Sequence, residues 1–453
     1  MQKNYNIGVF GHYGNQNLGD EAIITAVIQN IRSRLPNAEL CCFSINPEDT
    51  SNRYNIPAYP IRNFKPGSKI SQPAQSPDKA IASTATAEQS EKHTEDDITA
   101  KQKLKNLVKA IPIVSDALRW LLNTAYVLQG IGPEIRFLRQ SGNILKDIDL
   151  LMICGSNQFL DNFGGAWGFP YTLLKWTLLA RMNDTKVAFV SVGAGPLDLT
   201  LSKFFIKHAL NKSHYCSFRD PGSRALIERT RTRKTGSVYP DLAHSLIREN
   251  NQTNTPPQME QKPTIGINPM PVYDQRYWPE ADAQKYHQFV DNFARFSKNL
   301  VEQGYPIYFF ATQPKDEGVI NDILIKLQKD KVNFGNLNSI IRRCGEVDDL
   351  LDIMASADII VATRFHGVLL SLFLSIPVVA VCYGRKTHEL MVDMGQADYS
   401  MDLDGLDVAE MLEKFNLLTS NRVAEIENIT KRESFYKKSL QEQYNNILTL
   451  LAD

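Results

Sequence analysis

Residues 5–22 read "YNIGVFGHYGNQNLGDEA", and the two ends of this stretch carry different periods. Tyr5 to Phe10 is a short apolar run of strand length. After the loop, Ile23, Ile24, Val27, Ile28 and Ile31 recur at helical spacing up to Pro36, and "AELCCFSI" is again strand-like. Strand, helix and strand in succession predict an α/β domain with a parallel sheet. The loop has the glycine spacing of a phosphate loop, Gly14 to Gly19, but Asp20 and Glu21 stand where such a loop places Lys and Ser or Thr. The spacing is that of an anion site and the charge is not.

A chain of 453 residues exceeds one ordinary core. Lys and Arg number 50 and Asp and Glu number 50, so no bulk field draws the protein to nucleic acid, and any anion binding must be local. The six cysteines lie mostly in apolar strand-like runs without a C-x-x-C pair, which predicts reduced core thiols, a cytoplasmic setting and no metal site. One uncharged run, Gly367 to Gly384, approaches the length of a membrane span. Pro377 and the serines 371 and 375 instead predict a buried helix up to Ser375, a turn, and the strand "VVAVCY".

Alternation of strands and helices predicts two doubly wound, Rossmann-like parallel-sheet domains facing a cleft. The first spans 1–250, a polar linker covers 251–262, and the second spans 263–453. Within the first, about 65–101 is rich in Ser, Ala, Thr, Gln, Pro and Lys and is expected to be a disordered insert. Residues 102–146 are expected to be helical, with basic residues that also suit a peripheral membrane contact. A long terminal helix is expected from about Arg422 to Leu451, able to cross back over the first domain.

In open parallel sheets ligands lie beyond the carboxyl ends of the strands. The strongest such segment is "ADIIVATRFHGVLL". Arg364 offers a planar fork for a carboxylate or phosphate, His366 a proton, and Gly367 opens a helix whose N–H groups favour an anion. Arg219, followed by Asp220 and an expected N-cap at Ser223, and Lys386 after "VVAVCY" complete a candidate anion site. Asn15, Asn17 and Asp20 are candidate ligands for hydroxyl groups, as is Asp241 after "SVYP". Asp20 equally suits a helix N-cap, and both roles stand open at this point.

At these residues the chain resembles the polysaccharide pyruvyl transferase family, which shares G-N-x-N-x-G-D-E-A (Gly14 to Ala22), R-D-x-x-S (Arg219 to Ser223), P-D (Pro240-Asp241) and R-F-H-G (Arg364 to Gly367). The segment with Lys386 and Gly395 is similar as well, whereas "CGSNQF" places Asn157 where an acid is frequent in the family, so that position receives no proton-transfer role. The resemblance implies a GT-B-like fold. It also implies transfer of the enolpyruvyl carbons of phosphoenolpyruvate onto two hydroxyls of a sugar or lipid-linked oligosaccharide, in exopolysaccharide or cell-surface glycan biosynthesis, with no cofactor besides the donor. His366 would then be the acid, Arg364 and Arg219 would hold the donor, and Asp20 or Asp241 would take a hydroxyl proton. The expected location is the cytoplasm, including the inner face of the membrane. A GT-B-type nucleotide-sugar glycosyltransferase with Glu346 on the ribose is the main alternative, and a non-catalytic glycan-binding protein is another. The sugar, its linkage and the oligomeric state are not encoded in these motifs.

Overall fold

Runs such as Leu150–Cys154 and Val378–Cys382 are apolar at every position because both faces of their sheets are covered. In the computed structural model, which describes residues 4–63, 132–162, 164–248, 261–278, 280–332 and 340–452, these runs form two wholly parallel sheets. The first contains β1 (Asn6–Phe10), β2 (Glu39–Ser44), β3 (Ala58–Pro60), β4 (Leu150–Cys154), β5 (Lys186–Val192), β6 (Tyr215–Phe218) and β7 (Ser237–Val238), ordered β3-β2-β1-β4-β5-β6-β7. The second contains β8 (Ile265–Asn268), β9 (Ile307–Phe310), β10 (Ile341–Arg342), β11 (Ile359–Ala362), β12 (Val378–Cys382) and β13 (Ser400–Asp402), ordered β10-β9-β8-β11-β12-β13. The strand order reverses between β1 and β4 in one sheet and between β8 and β11 in the other. Those reversals are where a doubly wound sheet opens a crevice at its strand ends.

The helices are α1 (Leu18–Arg34), α2 (Pro47–Tyr54), α3 (132–145), α4 (Phe169–Met182), α5 (Thr200–Lys212), α6 (Pro221–Glu228), α7 (Ala283–Glu302), α8 (Asp316–Lys329), α9 (Val347–Ala355), α10 (Phe365–Phe373), α11 (Arg385–Asp393) and α12 (Val408–Leu448). Residues 1–61 and 144–453 make one compact unit, which carries both sheets, and 62–143 make another. The expected disordered insert and most of the 251–262 linker lie outside the described residues, as does the 102–131 part of the expected helical stretch. Beneath the first sheet, Trp176 packs against Phe10 and Phe43 at 5.7 and 4.7 Å between ring centroids. Its indole N–H donates to the Ile61 carbonyl, satisfying the one polar atom that burial would strand.

The uncharged run at 367–384 divides into helix, turn and strand as expected, but α10 ends at Phe373 instead of Ser375 and the turn falls at Leu374 and Ser375, where Ser375 takes a positive φ of 58°, before β12. No helix among the described residues is long and apolar enough to cross a membrane. Five cysteines are buried, Cys344 is half-buried, and all six are free thiols. The terminal helix begins earlier than its predicted start at Arg422, because Asp407 caps it and Val408, Met411, Phe415 and Leu418 already supply a buried stripe. Its first half packs on the second sheet's layer, with Phe415 against Phe296 and Tyr305. Its second half reaches the first sheet, where Gln443 Nε2 donates to Ser217 Oγ at 2.7 Å. One continuous helix therefore ties both halves of the cleft.

Candidate active site

Each side of the cleft is built at a helix N-terminus. On the first side, Asn17 is the N-cap of α1: its Oδ1 accepts from Gly19 N at 3.2 Å, and its Nδ2 donates to Asp20 Oδ2 at 2.7 Å. Of the two roles left open for Asp20 by the sequence, the N-cap is thus taken by Asn17. The asparagine carbonyl already satisfies the free N–H, which leaves the Asp20 carboxyl to line the cleft. Glu21 is fully buried and serves the loop, accepting from Gly14 N at 2.8 Å and Tyr54 Oη at 2.7 Å. The two acids that replace the phosphate-loop cation thus have separate tasks.

Arg219 leaves the end of β6 almost wholly buried. It pairs with Asp241 Oδ2 at 3.3 Å through Nη1 and with Asp220 Oδ2 at 3.5 Å through Nε, and its guanidinium lies 4.8 Å from the Phe365 ring centroid. Its Nη2 is buried without a hydrogen-bond partner among the described residues. The N-cap of α6 is Asp220, not Ser223. Asp220 Oδ1 accepts from Ser223 N at 2.6 Å, while Ser223 Oγ accepts from Ala194 N.

On the facing side α10 starts at Phe365, two residues before the predicted Gly367, with Arg364 as N-cap. Gly367 is buried and admits no side chain, since a Cβ there would lie 2.5 Å from Asn268 Oδ1. Arg364 is clamped by the fully buried Asp316, with Nε 2.9 Å from Oδ1. Asp316 also accepts from the backbone N–H groups of Thr312 and Gln313 at 3.1 Å. The two sides touch at Gly19 and His366: a Cβ on Gly19 would lie 2.2 Å from the imidazole Cγ and Nδ1. Beside this contact Leu18 N donates to the Thr312 carbonyl at 3.1 Å. Glycine in the G-D-E-A loop is required because the histidine of R-F-H-G lies on it.

A cavity of about 290 Å³ opens between these groups. Asn17, Asp20, Arg219, Arg364, His366 and Lys386 all line it, with Phe365, Asn157 and Thr312 among the other walls. Asp241 contacts it through Arg219. Asn15 is exposed and outside the lining, and Gly367 sits behind it. Asp316, which holds Arg364, and Phe365, which lines the cavity, are parts of the candidate site that motif reading did not single out. Nothing in the sequence around Asp316 distinguishes it from an ordinary first-turn acid.

Burial, with the nearby Glu21 and Asp241 charges, pushes the Asp20 carboxyl up to about 7. Burial also lowers Lys386 to about 7, reinforced by the Arg219 charge, and lowers His366 to about 4, where Arg219, Lys386 and Arg364 act in the same direction. His366 Nε2 is buried and unpartnered. Burial therefore favours the neutral imidazole, makes the Asp20 carboxyl hold its proton more tightly than an exposed acid, and makes Lys386 release its proton more readily than an exposed amine. A bound anion favours the charged form of every one of these cations.

A family model, polysaccharide pyruvyl transferase, matches residues 17–385, most of the chain, including Asn17, Asp20, Arg219, Asp241, Arg364 and His366; Lys386 follows directly after the matched range. No curated protein matches. Among solved structures, the UDP-GlcNAc 2-epimerase of Neisseria meningitidis bound to UDP-GlcNAc is similar at a TM-score of 0.55 and 12% identity, over 98% of this chain and 99% of that one. The alpha,alpha-trehalose 6-phosphate synthase of Burkholderia multivorans is similar at 0.51 and 12%, over 99% of each chain. At such identity these two likenesses speak for the fold, two facing parallel-sheet domains of the GT-B kind. The family match rests on the chain itself and includes the Asn17–Ala22 part of the loop, both arginines and the histidine that meet across the cleft: the chain belongs to the polysaccharide pyruvyl transferase family.

Proposed function

We propose that this transferase moves the pyruvyl carbons of phosphoenolpyruvate onto two hydroxyls of a sugar, forming a cyclic ketal and inorganic phosphate in exopolysaccharide or cell-surface glycan biosynthesis. The observation that carries the reading is the gathering of Arg219, Arg364 and Lys386 around one small cavity, with a buried guanidinium N–H on Arg219 lacking any partner. A ligand bearing a carboxylate and a phosphate answers that unpaired donor and offsets the three cations. The N-terminus of α10 adds its N–H groups on the same side.

Asp20 is assigned the proton. It lines the cavity and its burial raises its proton affinity well above that of an exposed acid, whereas the surroundings of His366, expected from sequence to be the acid, favour its neutral form. Asp20 gives its proton to the methylene carbon of the donor, and the C2 that becomes electron-poor is attacked by the first sugar hydroxyl, whose proton returns to Asp20. The C2–O bond to phosphate then breaks, with Arg219 and Lys386 stabilising the departing oxyanion. The second hydroxyl closes the ring on C2 and its proton leaves on phosphate, so protons balance over the cycle. Neutral His366 contributes a hydrogen bond through Nε2. The acceptor is a sugar or a lipid-linked oligosaccharide met in the cytoplasm, at the inner face of the membrane when it is lipid-linked.

The glycosyltransferase alternative places Glu346 on a ribose, but that carboxylate is ion-paired to Arg53. Incubation with phosphoenolpyruvate and, separately, with UDP- and GDP-sugars tests the choice. Acceptor-dependent phosphate release supports pyruvyl transfer, nucleotide release sinks it, and glycan binding without turnover supports the non-catalytic alternative.

A further inference from the structure

A second cavity, of about 620 Å³, adjoins the first, and the two share Arg219, Phe365 and Lys386 as lining. Its remaining walls come from Tyr239 and Pro240 after β7, from α11, and from Phe435 and Tyr436 on α12. The charges here are largely spent on one another: Arg219 on Asp220 and Asp241, and Arg432 on Asp393 at 2.6 Å. Four carboxylates in this lining, Asp220, Asp241, Glu389 and Asp393, leave an anion little field here.

It does offer unpaired polar atoms among apolar walls. His244 is fully buried; its Nδ1 lies 2.6 Å from Glu433 Oε2, and its ring meets Tyr436 edge-on at 4.9 Å between centroids. Those contacts fix the imidazole and leave Nε2 buried with no partner, as Glu389 Oε2 is also left. Leaving a buried donor or acceptor stranded is costly, so native folds rarely carry one without a use. An apolar chamber with a few convergent hydrogen-bonding groups fits a neutral, hydroxyl-bearing ring. Phe435, at 60% exposed, stands on the solvent side of that chamber and Phe365 on the donor side.

Building on the donor assignment above, we propose that the larger cavity is the acceptor chamber. A neutral sugar ring lies against Tyr239 and Phe435, hydrogen-bonds His244 Nε2 and Glu389 through its hydroxyls, and reaches the donor past Phe365. The acceptor accordingly enters beside α12 instead of along the Asn15–Asn17 loop.

The test uses the full chain and p-nitrophenyl glucoside, galactoside and mannoside as probes, with saturation-transfer NMR and calorimetry and with phosphoenolpyruvate binding measured alongside. Wild-type protein is expected to bind at least one glycoside. Phe435→Ala, an exposed position, is expected to weaken that binding about tenfold, as loss of an aromatic wall does. Ser439→Trp, which fills the chamber, is expected to abolish it, with phosphoenolpyruvate affinity unchanged in both variants. Absence of glycoside binding by the wild type, or wild-type glycoside affinity in both variants, overturns the proposal. Glycoside binding that follows this pattern without any phosphoenolpyruvate binding upholds the chamber and removes the donor assignment instead.

Discussion

Gly19→Ala isolates the contact between the two halves of the site. Gly19 is the second residue of α1 and has no left-handed backbone, so alanine by itself favours the helix by about 1 kcal/mol. The added Cβ, however, falls 2.2 Å from His366 Cγ and Nδ1, where ordinary contact begins at 3.4 Å, and the imidazole must retreat by about 1.2 Å. A displacement of that size in a positioned group costs about 100-fold in rate, or ~2.7 kcal/mol of barrier. The assay is kcat/KM for acceptor-dependent phosphate release, with thermal denaturation in parallel. Activity is expected to fall about 100-fold while Tm stays near the wild-type value. The double variant Gly19→Ala/His366→Ala is expected to be no worse than His366→Ala alone, because both changes act through one ring. A Gly19→Ala protein within about threefold of wild-type activity refutes the reasoning.

Asp20→Asn removes the assigned proton carrier and is expected to abolish turnover. Because the folded carboxyl sits at about 7, above its unfolded value, its contribution to stability is intact below about pH 4 and is lost as pH rises through 7. The variant should therefore be more stable than wild type at pH 8, by up to about 4 kcal/mol in urea unfolding, with the gap closing below about pH 4. Arg219→Lys keeps the charge but gathers its donors on one nitrogen, losing the planar fork that reaches Asp241 through Nη1 and Asp220 through Nε while turning Nη2 elsewhere; KM for phosphoenolpyruvate is expected to rise at least about tenfold in steady-state kinetics. Asp316→Asn frees the Arg364 fork, and a stability loss of about 3 kcal/mol is expected with a raised donor KM and an unchanged acceptor KM, whereas equal rises in both would contradict a positioning role for Asp316.

The two sheets were legible because parallel strands buried on both faces leave continuous apolar runs, as at Leu150–Cys154 and Ile359–Ala362, and because polar residues crowd their carboxyl ends. For the same reason Arg219, Arg364, His366 and Lys386 could be picked before any coordinates. Their convergence could not, since Gly19 and His366 meet across two domains and no local pattern records a contact of that range. Cap positions shifted for a simpler reason. Several Asn, Asp and Ser side chains at Asn17, Asp20, Asp220 and Ser223 could each satisfy the first N–H groups, and three-dimensional placement decides which one does. Asp316 stayed hidden because an acid in the first turn of a helix is ordinary, and its role exists only through Arg364.

The most direct test of pyruvyl transfer follows phosphoenolpyruvate by phosphorus NMR and the glycan acceptor by mass spectrometry in the same reaction. The account predicts inorganic phosphate released only when acceptor is present, and an acceptor that gains one acid-labile pyruvate ketal for each phosphate. Untouched phosphoenolpyruvate together with nucleotide release from a UDP- or GDP-sugar would contradict it.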